Sequence, residues 1–248
     1  MQYSFGSGVL YGRSLTNTPA TPVRFGGLQE VTIDFTFNVK ELYGQYQFPI
    51  ALGRGTGKIT GKAKFAQFNA QAFNDLFFGN SNPATGSVVT AVAEAHTVTS
   101  NIVTATHNST FSRDLGVVLS SDGTVYSRVT SGPVGYEYSV NESTGVYTFN
   151  NTQENAAVLV SYNYTDASNG KLITISNNLL GSAPQFLAAF TETFTVNGVA
   201  KKQTLVLNAC MSSKLTFATK LEDFEIPEFD FAAFADASNS IGSLSLDE

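Results

Sequence analysis

Gly53-Arg-Gly-Thr-Gly-Lys58 is a stretch whose residue types suggest phosphate chemistry. A P-loop places four residues between its glycines and opens a helix with Gly-Lys-Ser/Thr, so that backbone N–H groups cradle the phosphates. Here three residues separate Gly53 from Gly57, Ile59 follows the lysine, and a strand-like pattern follows the loop. The segment therefore reads as a flexible entry into a strand. Gly6-Ser7-Gly8 lacks the strand-to-helix junction of a nucleophile elbow. Neither His96 nor His107 has a carboxylate or cysteine at metal-ligand spacing, and both read as polar surface or loop residues. Cys210, following Leu205-Val-Leu-Asn-Ala, reads as a small buried hydrophobe. Glu222 and Asp223 adjoin one another in an acidic segment, whereas a glycosidase holds two carboxyl groups across a cleft. No catalytic, cofactor-binding or metal-ligating residue is assigned, and the chain is not expected to be an enzyme.

Aromatic residues offer a different chemistry. Tyr126, Tyr136, Tyr138, Tyr147, Phe149, Tyr162 and Tyr164 fall in one stretch, with Tyr136/Tyr138 and Tyr162/Tyr164 at strand spacing. They form either a stacking surface for carbohydrate or nucleic acid, or cross-strand pairs that fill a thin sandwich.

The elements that would carry these residues are mostly strands. The chain has 248 residues, 42% of them hydrophobic and 14% charged, which is a globular composition with enough length for one large domain or two modest ones. Lys and Arg number 14 against 20 Asp and Glu, a net charge of −6 that argues against gripping phosphates by counterion release. One cysteine excludes an internal disulfide. Met1-Gln2-Tyr3-Ser4-Phe5-Gly6 has no basic region followed by an apolar stretch, so no export signal is expected, and no window is apolar enough to span a bilayer. Asn-x-Ser/Thr triplets at Asn108, Asn141, Asn150 and Asn163 then read as chance matches. Synthesis in a cytoplasm follows as the expectation.

From Glu30 to Lys40 the residues alternate, with Val31, Ile33, Phe35, Phe37 and Val39 on one face and Thr32, Asp34, Thr36 and Asn38 on the other. That period predicts a half-buried strand. Lys58 to Ala66 repeats it, with Ile59, Ala63 and Phe65 inward, and antiparallel pairing would set Glu30 and Asp34 against a lysine row. The connection Glu41–Gly57 exceeds what a hairpin needs and carries Tyr43, Tyr46, Phe48 and Pro49. Asn69 to Gly79 predicts one short helix capped by those two residues, with Phe73, Leu76 and Phe77 on its packed face.

Asn80–Gly86 is a breaker cluster, after which an all-β insert is expected over 87–169, built from runs at Val88–Val92, Thr97–Thr106, Gly116–Leu119, Tyr136–Val140, Val146–Phe149 and Val158–Tyr164. The flanking segments, 1–86 and 170–248, then form one discontinuous β domain. Leu172–Ser176 opens the second of these. Asn197-Gly198 predicts a tight hairpin between Phe186–Val196 and Lys201–Ala209, and Leu215, Phe217, Thr219 and Leu221 alternate with Lys214, Thr216, Ala218 and Lys220 as a further strand. Glu222–Glu248 is acidic, without Lys or Arg, yet aromatic, and reads as an arm that docks on something.

Taken together, Glu30–Lys40, Glu41-Leu-Tyr-Gly-Gln-Tyr-Gln-Phe-Pro-Ile50, Gly57-Lys-Ile-Thr-Gly-Lys-Ala-Lys-Phe65, the Phe73–Gly79 helix and the ending Leu221-Glu-Asp-Phe-Glu-Ile-Pro-Glu-Phe-Asp-Phe231 with Phe234-Ala-Asp236 resemble the tail tube (major tail) proteins of tailed bacteriophages. The resemblance covers roughly residues 28–80 and 172–240, and the insert departs from the minimal family pattern. It implies a mainly β fold: a β-sandwich or half-barrel with one packed helix, here with an all-β insert. It also implies a structural virion protein whose hexameric rings stack into a hollow tube, neighbouring strands joining around the lumen. Implied partners are further copies of the chain, a tape-measure protein, and tail terminator and tip proteins. Double-stranded DNA would pass through the lumen without specific binding, and no membrane insertion is implied. The implied location is the virion tail, after synthesis in the host cytoplasm.

Open sheet edges, a hazard in a monomer, would be sealed by neighbours in a ring. Contacts between rings are expected from Leu42, Tyr43, Tyr46, Phe48, Pro49 and Arg54, although the same loop also suits an internal lid over one end of the sandwich. Glu222, Asp223, Glu225, Glu228 and Asp230 of the acidic arm are a second contact set, meeting Arg54, Lys62 or Lys64 of a neighbour. The lysines of Lys58–Ala66 would weaken a uniformly negative lining if that face met the lumen. The alternatives are a single-ring tail terminator or connector, a decoration protein, or a carbohydrate-binding β-sandwich.

Overall fold

The computed structural model describes residues 6, 8–16, 19–67, 69–80, 83–196, 198–219 and 221–247. Met1–Phe5, Ser7, Ser81, Asn82, Asn197, Lys220 and Glu248, which figured in the expectations above, lie outside the described residues. The fold is mainly β. In chain order the strands are β1 (Val9–Ser14), β2 (Val23–Arg24), β3 (Leu28–Tyr43), β4 (Pro49–Phe65), β5 (Ala84–Thr97), β6 (Ile102–Thr104), β7 (Phe111–Leu119), β8 (Ser127–Arg128), β9 (Glu137–Asn141), β10 (Val146–Phe149), β11 (Ala157–Leu172), β12 (Phe186–Val196), β13 (Val199–Thr216), β14 (Glu228–Phe234) and β15 (Gly242–Leu246). The chain divides into two compact units, Met1–Pro83 with Ile173–Glu248, and Ala84–Leu172.

The first unit is one sheet in the order β2-β1-β12-β13-β14-β4-β3, with β15 pairing part of β13. β12 and β13 pair from Val196 and Val199 onward, as a tight hairpin requires. The core is aromatic. Phe25 stacks on Phe229 at 5.2 Å, and Phe65 and Phe231 flank Phe229 at 5.9 and 5.5 Å. Each such ring, fully buried, contributes roughly 1.5–3 kcal/mol. Gly61 makes this possible on β4, because a Cβ there would fall 2.1 Å from the Phe231 ring.

The predicted helix runs between its expected caps, but its second half is wider than the periodicity suggests. Asn69 caps α1 (Ala70–Phe73) by accepting from the Gln71 and Ala72 N–H groups at 2.9 and 3.2 Å. The next residues, Asn74–Phe78, form a π-helical turn that ends at Gly79 with φ 67°. Buried Asn74 explains the widening: its Nδ2 donates to the Asn80 carbonyl at 2.8 Å and so draws the chain end inward. Phe73 and Leu76 are buried in the core and Phe77 packs against it.

Several expectations are corrected. Glu41–Gly57 is not a long loop, since β3 and β4 stay paired from Leu28↔Phe65 to Tyr43↔Pro49 and only 44–48 lie between them. Gly53–Lys58 is therefore strand rather than a flexible entry. Glu30 does pair with Lys64, at 2.6 Å, but Asp34 lies opposite Thr60. The strand predicted over 215–221 stops at Thr216 and continues the 201–209 strand as one element, bent by a bulge between Ser212 and Lys214. The acidic arm is largely not an arm. Its residues 228–234 form β14, inserted between β13 and β4, with Phe229 and Phe231 in the core.

The second unit contains a three-stranded sheet, β5-β11-β7, and a four-stranded one, β6-β10-β9-β8. They share a core that includes Val98, Val117, Tyr138, Tyr147, Val158 and Tyr162. The run Thr97–Thr106 is not one strand. Ser100 and Asn101, at φ 54° and 62°, turn the chain between β5 and β6.

Candidate assembly surface

Among the described residues, β4 has no strand on that edge beyond Ile59, where β14 ends its pairing, and β3 is paired only with β4 along its length. Residues 36–58 thus form a free-standing two-stranded ribbon. Such ribbons are marginal in water unless something covers them. The apolar alternation of β3 continues out along it: Val31 and Ile33 pack on the core, but Phe35, Phe37 and Val39, expected inward, are exposed. All the predicted contact residues lie on this ribbon. Tyr46 and Phe48 at its tip are 74% and 80% exposed, Leu42, Tyr43 and Arg54 are exposed, and Pro49 is half-buried. The internal-lid reading fails, because a lid would bury these side chains. Tyr43 donates a hydrogen bond to Glu41 on the same strand. The Arg54 guanidinium lies 3.1 Å from the centre of the Phe37 ring.

The acidic residues separate into two groups. Glu228 pairs with Lys62 of its own chain at 2.6 Å, so that lysine is already engaged. The Lys62 hydrogen bond holds the Glu228 carboxyl below its ordinary range. Asp230 lies beside Asp34, Lys58, Lys62 and Ser213 around a polar depression of about 310 Å³. Charges of both signs meet there, and the Ser213 hydroxyl donates to the Asp230 carbonyl at 3.4 Å. Glu222 and Asp223 are exposed and Glu225 is half-buried in the short segment before β14, next to the fully exposed Leu221 and Phe224.

Sequence reasoning missed an apolar cleft. β15 covers only Gln203–Leu207 of β13, and β14, which lies between β13 and β4, ends at Phe234, leaving the core open between Leu244 on β15 and Phe35 on β3. Two adjoining hollows of about 170 and 160 Å³ share Phe35, Leu205 and Leu244 as lining. Only the strand pairing reveals this gap.

Tyr126, Tyr138, Tyr147 and Tyr162 of the second unit are core residues rather than a stacking platform. Tyr138 and Tyr147 donate to the two oxygens of buried Asp114 at 2.6 and 3.0 Å, and burial raises both phenols above their ordinary pKa. Tyr126 donates to Gln153 at 2.6 Å, and among the seven aromatics only Tyr136 is exposed. His96 does have a carboxylate neighbour: Glu94, two residues away on the same face of β5, lies 2.5 Å from its Nε2. His107 stacks on Tyr164 at 3.8 Å. Burial pushes the Glu94 carboxyl up, but hydrogen bonds from the Thr106 N–H, His96, Tyr162 and the Thr106 hydroxyl together outweigh it and hold the pKa at about 2. Cys210 is buried, and desolvation pushes its thiol up to about 12. Among the described residues no group of three or more His, Cys, Asp or Glu could hold a metal ion, and no helix is long and apolar enough to cross a membrane.

Compared with known families and curated proteins, the chain matches no family model and no curated protein.

Proposed function

We propose that this chain is a tail tube subunit of a tailed bacteriophage, a non-enzymatic virion protein that polymerises as stacked hexameric rings into the conduit for genome ejection. One observation carries the reading: an unaccompanied ribbon, apolar to its tip, that extends a sheet whose edge strand of 16 residues is open. An unprotected edge of that length promotes association, and a ring of identical copies seals it without leaving new edges.

The charge pattern supports a conduit. The net charge is −6, and Lys62 and Lys64 on the polar face are engaged by Glu228 and Glu30 of the same chain. Lysines neutralised in this way grip passing phosphates weakly. In the proposed assembly the tube also holds a tape-measure protein and ends on terminator and tip proteins, and Leu42, Tyr43, Tyr46, Phe48, Pro49 and Arg54 contact the adjacent ring.

Sedimentation velocity over a hundredfold range of protein concentration tests this reading. Boundaries far beyond a hexamer, growing with concentration, are expected. A single species of 26.5 kDa throughout would refute it.

A further inference from the structure

We infer that the apolar cleft between β3 and β15 is the seat for the ribbon tip of a second copy, with Tyr46 and Phe48 entering its two hollows. The inference rests on the tube-subunit reading and specifies which two surfaces of the chain meet.

The cleft asks for aromatic occupants. An apolar cavity of about 150 Å³ accommodates a benzene ring, and the hollows here measure about 170 and 160 Å³. Their lining is apolar except for Gln203, Ser243 and Gly242, and no charged side chain faces in. The hollows share Phe35, Leu205 and Leu244, so they lie side by side. Tyr46 and Phe48 are two residues apart, no more than about 7 Å of chain, and each is at least 74% exposed.

The tip of the same molecule does not reach this seat. Phe35 lines the cleft, and the ladder from Phe35↔Ile59 to Tyr43↔Pro49 carries the tip away from it by roughly 30 Å. A second copy supplies the tip instead. Such a contact is heterologous, one patch giving and a different patch receiving, so it propagates from copy to copy.

The test mixes two full-length single variants, mass-tagged Phe48→Cys and untagged Leu244→Cys, under mild oxidation, and compares wild-type protein by electron microscopy. Leu244 is 56% exposed, so its replacement leaves the core intact, and the native Cys210 is buried and stays silent. Phe224→Cys, from another exposed apolar segment, serves as the competing donor. The expected product is the tagged–untagged heterodimer through residues 48 and 244, at least tenfold above either homodimer. Wild-type tubes with no such heterodimer, or with the cross-link formed from residue 224 instead, overturn the cleft assignment and leave the tube reading standing. The heterodimer without tubes or rings upholds the contact and overturns the tube reading. Absence of both overturns both.

Discussion

Arg54 lies across the ribbon from Phe37, its guanidinium 3.1 Å from the ring centre. Gly57, paired with Phe37, leaves room for the ring, since a Cβ there would fall 2.7 Å from it. The pair ties the two strands of the ribbon together beside the Asn38–Thr56 hydrogen bond of 2.9 Å. Cation–π contacts at exposed sites contribute about 0.5–1 kcal/mol. Arg54→Ala is therefore expected to lower the thermal unfolding midpoint by no more than about 4 °C. It should raise the critical concentration for assembly about 2–5-fold by light scattering. An unaltered critical concentration would remove this pair from the assembly step.

Deleting 43–52 shortens the ribbon without touching any buried side chain. Folded, soluble protein with an unchanged unfolding midpoint is expected, together with loss of every particle larger than a single ring. Calorimetry and electron microscopy on one preparation decide it, and normal tubes would contradict the role given to the tip.

Truncation after Leu221 is expected to do far more than weaken an electrostatic contact. It removes β14, and with it Phe229 and Phe231, which are 0% and 1% exposed. The cooperative calorimetric transition of the first unit should disappear while that of the second remains. A truncated chain that keeps both transitions would restore these residues to the status of a peripheral arm.

Glu94 makes the second unit acid-sensitive. Its carboxyl titrates near 2 in the folded state, against an ordinary value of 4.5. A depressed folded-state pKa contributes stability that is fully present above about 4.5 and is lost as pH falls toward 2. The contribution is of the order of 2–3 kcal/mol. Glu94→Gln should lower the unfolding midpoint of the second unit at pH 7 and flatten its decline below pH 4.5, as followed by near-ultraviolet circular dichroism of the buried tyrosines. An identical pH profile in the variant would show that the carboxylate network is not what holds this unit together in acid.

The fold class was legible because strand periodicity is a local signal. The alternation from Val31 to Val39 marks β3 correctly, yet it implies a buried face, and from Phe35 outward that face is open. Alternation records which side is to be covered, not whether the same molecule covers it. Gly53, Gly55 and Gly57 were misread because glycine ordinarily interrupts strands, whereas Gly57 accommodates the cross-strand Phe37 ring. The charge of the last 27 residues hid β14, although Glu228-Phe229-Asp230-Phe231 alternates as a strand should. Nothing local foretold the cleft, the pairing of Glu228 with Lys62 or the tyrosine hydroxyls on Asp114. Each joins residues brought together only by the sheet order.

Electron microscopy of the purified wild-type chain, concentrated in stages, meets the central claim most directly. Hollow tubes of stacked six-fold rings with an open central channel are expected, lengthening as concentration rises. Isolated single molecules at every stage, each carrying its ribbon uncovered, would contradict it.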